Sequence, residues 1–201
     1  MPKLLIATRN KGKIAEIAER LRGTGIEAVG LDDIGCEPDV EESGSTFAEN
    51  AAIKAREYAR ATGHTTLADD SGLEVAAMGG RPGVLSARYG GATEYPKKMQ
   101  MLLDELAATG SADRSARFVC VMAAADRSGE LLLTAEGECR GQLADAPRGN
   151  GGFGYDPIFI PEGFDQTFGE LAPGTKAAIS HRAKALEIII AKLPGLLQDL
   201  T

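Results

Sequence analysis

Apolar spacing divides the chain into alternating strands and helices. Leu4-Leu5-Ile6-Ala7 is a short continuous run of the buried-strand kind, and Ile14, Ile17, Ala18 and Leu21 follow at helical spacing. The pair predicts a strand, a loop over Thr8–Lys13 and a helix stopped by Gly23 and Gly25. Ile26–Val29 reads as a second strand. Thr46-Phe47-Ala48-Glu49 is a capping box, and Phe47, Ala51, Ala55 and Tyr58 form the apolar stripe of a helix ending near Ala61. Thr65-Thr66-Leu67 favours extended structure, Leu73-Glu74-Val75 alternates with period two, and Ser71-Gly72 between them is turn chemistry.

Further on, a helix is expected from about Glu94, with Met99, Leu102, Leu103 and Leu106 inward and Pro96 tolerated in its first turn. Ala116–Ala125 and Leu131–Leu143 read as strands joined by Arg127-Ser128-Gly129-Glu130, and Ile158-Phe159-Ile160 as a short one. The last helix runs from Ser180 to Leu193, with Leu186, Ile189, Ile190 and Leu193 facing inward. The alternation predicts an α/β protein.

The 201 residues suffice for one sizeable core. A net charge of −7 argues against sequence-independent nucleic-acid binding, which needs a basic face, but permits a small polyanion where lysines converge. Three cysteines and two histidines lack zinc-site spacing, and Cys120, inside Phe118–Met122, reads as a buried apolar residue. The start shows no signal-peptide pattern and no apolar run reaches membrane-spanning length, so a cytoplasmic protein without a membrane partner is expected.

Four stretches carry candidate chemistry. Asp69-Asp70 places two carboxylates between apolar runs, where repulsion and burial are costly unless something positive, such as a divalent cation, is near. The bland alternative is a solvated turn. Thr8-Arg9-Asn10-Lys11-Gly12-Lys13 is a strand-to-helix loop of the kind that aims backbone N–H groups at an anion, although it lacks the glycine and Ser/Thr of a P-loop. The acidic run Glu37, Asp39, Glu41, Glu42 is a solvated loop or a source of oxygen ligands. Gly149-Asn150-Gly151-Gly152-Phe153-Gly154-Tyr155-Asp156-Pro157 offers close backbone approach and an aromatic platform, or else a loop whose rings turn into the core.

Taken in order, Thr8–Lys13, Thr46–Asn50 with Lys54, Ala68-Asp69-Asp70-Ser71-Gly72-Leu73, Ser86-Ala87-Arg88-Tyr89, Gly151–Pro157 and Ser180-His181-Arg182 resemble the inosine triphosphate pyrophosphatase family, which hydrolyses deaminated-purine nucleoside triphosphates. The resemblance covers nearly the whole chain and departs at Arg9, where that family often has a small residue. It implies one domain over residues 1–201, an elongated twisted mixed sheet flanked by helices in two lobes with a central cleft. It also implies a homodimer and magnesium-dependent conversion of ITP, dITP or XTP to the monophosphate and pyrophosphate. By the same resemblance Glu42 binds the metal, with Asp70 as a further metal ligand or as the catalytic base that orients water. Lys13, Lys54 and Lys176 hold the triphosphate with the help of Thr8, Arg9, Asn10, Lys11, Gly12 and Ser71. Phe153 stacks on the purine, beside Gly154 and Tyr155, while Asp156, His181 and Arg182 read its edge. Two rivals are a Maf-like pyrophosphatase for modified pyrimidine nucleotides and a non-catalytic nucleotide-binding module.

Overall fold

A computed structural model describes residues 2–37 and 39–198; the side chains at 193, 194 and 196–198, the expected inward Leu193 among them, lie outside the described residues. Strands β1 (Lys3–Ile6), β2 (Glu27–Gly30), β3 (Thr66–Val75), β4 (Ser115–Ala125), β5 (Leu131–Leu143) and β6 (Phe159–Pro161) form one sheet in the order β2-β1-β3-β4-β5-β6. β1 runs parallel to β2 and β3, and β6 antiparallel to β5, so the sheet is mixed. The helices are α1 (Lys11–Leu21), α2 (Phe47–Thr62), α3 (Tyr95–Ala108), α4 (Pro173–Ile179) and α5 (His181–Gln198). The expected α/β class holds. No helix among the described residues is long and apolar enough to cross a membrane.

The chain divides into two compact units. The first gathers Met1–Asp70, Cys120–Gly137 and Arg182–Thr201; the second gathers Ser71–Val119 and Glu138–His181. Each has its own core. In the first, Leu4 and Ile6, Ile17 and Leu21, Leu67, Met122, Leu186 and Ile189 are buried together with Cys120. In the second, Leu73, Val75, the Met99–Leu106 face of α3, Phe118, Phe159 and Phe168 pack, with the Phe118 and Phe159 centroids 4.6 Å apart.

Local chemistry explains the element ends. Thr46 Oγ1 accepts from Glu49 N–H and Glu49 returns a carboxylate oxygen to Thr46 N–H, closing the capping box of α2, which ends at left-handed Gly63. Two expectations need correction, and one helix lies outside them. Ser71-Gly72 is not a turn: β3 passes straight through it, because pairing in the sheet outweighs local turn propensity. Lys11–Lys13 belong to the first turn of α1 rather than to the loop, since Asn10 caps the helix. Ser180 follows a seven-residue helix, α4, that apolar spacing did not disclose because it is short and begins at Pro173.

Candidate functional site

The first unit holds a buried cluster of opposite charges. β3 delivers Asp69 and Asp70, whose side chains leave a strand on opposite faces. They accordingly have different partners. Asp69 Oδ2 lies 2.8 Å from Lys13 Nζ and 3.5 Å from Arg182 Nη2, and Arg182 Nη1 lies 2.6 Å from Glu16 Oε2. Asp70 Oδ2 accepts from Asn50 Nδ2 at 3.1 Å, while its Oδ1 stands 3.7 Å from Lys54 Nζ, which also meets Glu42 Oε1 at 2.7 Å. Asn50 and Lys54 are one turn apart on α2 and both are buried, so Lys54 is no exposed solubiliser.

The two aspartates are driven in opposite directions. Burial would raise Asp69, yet Lys13, Arg182 and Lys54 hold its carboxyl far below the usual carboxylate range. Burial raises Asp70 above its ordinary value with help from Glu42, against the opposing pull of Lys54 and Asn50. Burial lowers Lys54, but Asp69, Asp70 and Glu42 together keep its ammonium above its ordinary value. Asp69 is thus a fixed anion and Asp70 the better proton acceptor, the separation of roles that neighbouring acid–base groups need. In carboxyl-carbon NMR of the metal-free protein, Asp70 is expected to titrate above about 3.9 and Asp69 to stay ionised well below it; one common titration for both would contradict the split.

Glu42 reaches this cluster from an irregular segment crowded with carboxylates. Arg9 organises that segment: its guanidinium donates to Asp32 Oδ1 at 2.7 Å, Asp39 Oδ1 at 3.0 Å, and the carbonyls of Cys36 and Glu37 at 2.7 and 2.8 Å. Val40 N–H donates to Tyr58 Oη and Gly44 N–H to Asn50 Oδ1. Arg9 thereby ties down the acidic loop. Gly12 and Lys13 N–H donate to Asn10 Oδ1, and Asn10 N–H donates to Thr8 Oγ1. Lys11 points to solvent, and Ser71 is half-buried in β3 beside Asp70.

Glu42 and Asp70 fit a hard divalent cation. Both already converge on one positive charge, and such ions commonly take one or two protein carboxylates plus phosphate oxygens. Among the described residues no group of three or more His, Cys, Asp or Glu side chains forms a metal site, so the remaining ligands would come from phosphate or water.

The second unit holds a different cluster. Asp156 Oδ2 accepts from Phe153 N–H at 2.7 Å and pairs with Lys176 Nζ at 2.6 Å. Lys176 Nζ stands 4.5 Å from the Phe153 ring centroid and 5.8 Å from that of Phe168. Phe153 is half-buried. Gly152, at φ +71°, is where the loop tightens: a Cβ there would fall 2.1 Å from Asp156 Oδ2. His181 is buried against Phe118, rings 4.8 Å apart and nearly parallel. Tyr155 is buried, edge-on to Tyr95, and its hydroxyl donates to the Ser86 carbonyl at 2.9 Å.

Lys176 groups with Asp156 and Phe153. Arg182, 2% exposed, groups with Asp69 and Glu16 and braces the carboxylate cluster. Tyr155 braces the Ser86 segment, and Asp156 holds the Phe153 loop. Spacing gave no sign of Glu16, which pairs with Arg182 across 166 positions of sequence.

Fold and first cluster define an α/β protein with a carboxylate–lysine centre suited to a polyanion and a hard cation. A sequence profile of the Ham1 family matches residues 4–192, and the chain belongs to that family. It is similar to the dITP/XTP pyrophosphatase of Bacillus licheniformis, 45% identical over 194 residues covering 96% of this chain and 98% of the relative. The dITP/XTP pyrophosphatase of a Nostoc species is 46% identical, covering 98% and 96%. A solved HAM1 protein from Coxiella burnetii superposes with a TM-score of 0.88 at 43% identity, covering 99% of this chain and 100% of that one.

Proposed function

We propose that this protein is a magnesium-dependent pyrophosphohydrolase that converts ITP, dITP or XTP to the nucleoside monophosphate and pyrophosphate. It would thereby remove deaminated purines from the nucleotide pool. The observation that carries the chemistry is the pair of adjacent aspartates held in opposite protonation tendencies beside Lys13, Lys54 and Glu42. The substrate class is taken from the relatives named dITP/XTP pyrophosphatase, which match this chain over almost its whole length. A homodimer belongs to the same proposal and rests on the family resemblance.

Phosphoryl chemistry needs positioning and neutralisation of charge more than covalent help. In this reading Lys13 and Lys54 meet the polyphosphate. Asp70 accepts the proton of the water that attacks the α-phosphorus, a task favoured in a carboxylate that burial raises above its ordinary value. Asp69 keeps Lys13 and Arg182 in place. Glu42 and Asp70 would hold magnesium, which would neutralise charge on the phosphate oxygens.

The Phe153 ring gives a face for the purine, with Lys176 beside it, and Lys176 and His181 are the donors that would favour the C6 oxygen of hypoxanthine and xanthine over the amino group of adenine. Sites built on such a hydrogen bond discriminate by roughly 10⁴-fold or more. A panel of ITP, XTP, ATP, UTP and dUTP tests this: ITP and XTP should dominate in kcat/KM, and preferential turnover of the pyrimidine nucleotides would overturn it in favour of a Maf-like activity. Lys13→Ala should raise KM for ITP by roughly 10- to 100-fold with a smaller change in kcat. A loss confined to kcat would place Lys13 on charge that develops only in the transition state.

A further inference from the structure

Glu42 and Asp70 converge on one ammonium. Lys54 Nζ is 2.7 Å from Glu42 Oε1 and 3.7 Å from Asp70 Oδ1, in a position that is 9% exposed. The arrangement is fixed from two sides. Asn50, one turn earlier on α2, donates to the other oxygen of Asp70 and accepts from Gly44 N–H, two residues after Glu42. A divalent cation held by the same carboxylates would have to share them with the Lys54 charge at ion-pair distance. Both cations cannot be held there at full strength.

We propose that Lys54 is the built-in counter-ion of the nucleotide-free protein: it occupies the Glu42–Asp70 pair, competes with the divalent cation for it, and moves to the polyphosphate when nucleotide arrives. The proposal rests on the reading of Glu42 and Asp70 as the cation site. The empty protein then keeps the buried Asp70 and the half-buried Glu42 compensated without metal, and the cation binds well only together with nucleotide, whose phosphates take Lys54 over and supply the missing oxygen ligands.

Manganese titration of the nucleotide-free protein, followed by electron paramagnetic resonance, tests this without any turnover. Lys54→Met should bind Mn²⁺ roughly tenfold tighter or more than the wild type, since a like charge has left the site, whereas Lys54→Arg should bind as weakly as the wild type. Equal or weaker binding by Lys54→Met, with a native thermal transition, overturns the proposal. Should that variant fail to fold, Lys54→Gln replaces it under the same criterion. Adding Glu42→Gln to Lys54→Met should abolish the gain. A gain that survives would put the ion elsewhere and refute the cation-site reading itself, a failure distinct from that of the Lys54 role.

Discussion

Asp70→Asn is expected to lower kcat on ITP by roughly 10²- to 10⁴-fold, the range set by loss of a positioned base, and to leave the protein at least as stable as before. The second half follows from the direction of the shift. The fold holds the Asp70 carboxyl above its ordinary value, chiefly by burial and then through Glu42. Its ionised form is therefore disfavoured by folding at neutral pH, and that cost disappears only as pH falls through the raised folded value. A neutral amide removes the cost and can still pair with Asn50. Steady-state kinetics beside thermal unfolding checks both halves. Near-wild-type turnover would remove Asp70 from the chemistry.

Asp69→Asn should do the reverse, with its main effect on stability. The Asp69 side chain is 1% exposed and is shared by Lys13 and by the equally buried Arg182. Neutralising one partner of such a buried group leaves uncompensated cations and costs about 3–5 kcal/mol, or roughly 6–20 °C in Tm for a chain of this size. The sign with pH is fixed by the depressed folded value. The stabilisation is fully present above the unfolded aspartate value of about 3.9 and is lost as pH falls through the folded value. The gap in Tm between wild type and variant should thus be widest near neutrality and close in strong acid. An unchanged Tm at neutral pH would show that Asp69 anchors nothing. The contrast between the neighbours separates a group that works at a cost to the fold from one that holds the fold together around it.

What the sequence discloses follows the range of the interactions involved. The α2 capping box, the buried face of α3 and the β4–β5 connection are local patterns, and each is visible in a few consecutive residues. The candidate residues Lys13, Lys54, Glu42, Asp70 and Phe153 are legible because motifs concentrate unusual chemistry. What the sequence conceals is decided by partners far along the chain. Ser71-Gly72 reads as a turn until the flanking strands are in place to pair with β3. Arg182 is a cation in a helix's first turn until Asp69 and Glu16 are brought to it, where they offset the unfavourable helix dipole. Arg9 is one more basic residue in a loop until the acidic segment folds back onto it. Tyr155 and Phe153, two residues apart in one glycine-rich stretch, part ways because their partners lie elsewhere in the second unit: Tyr155 meets Tyr95 and the Ser86 carbonyl, and Phe153 meets Lys176.

The central claim is the bond that breaks. ITP incubated with the protein and magnesium should yield IMP and pyrophosphate in equal amounts. IDP and inorganic phosphate as products, or ITP bound with no pyrophosphate released, would contradict it.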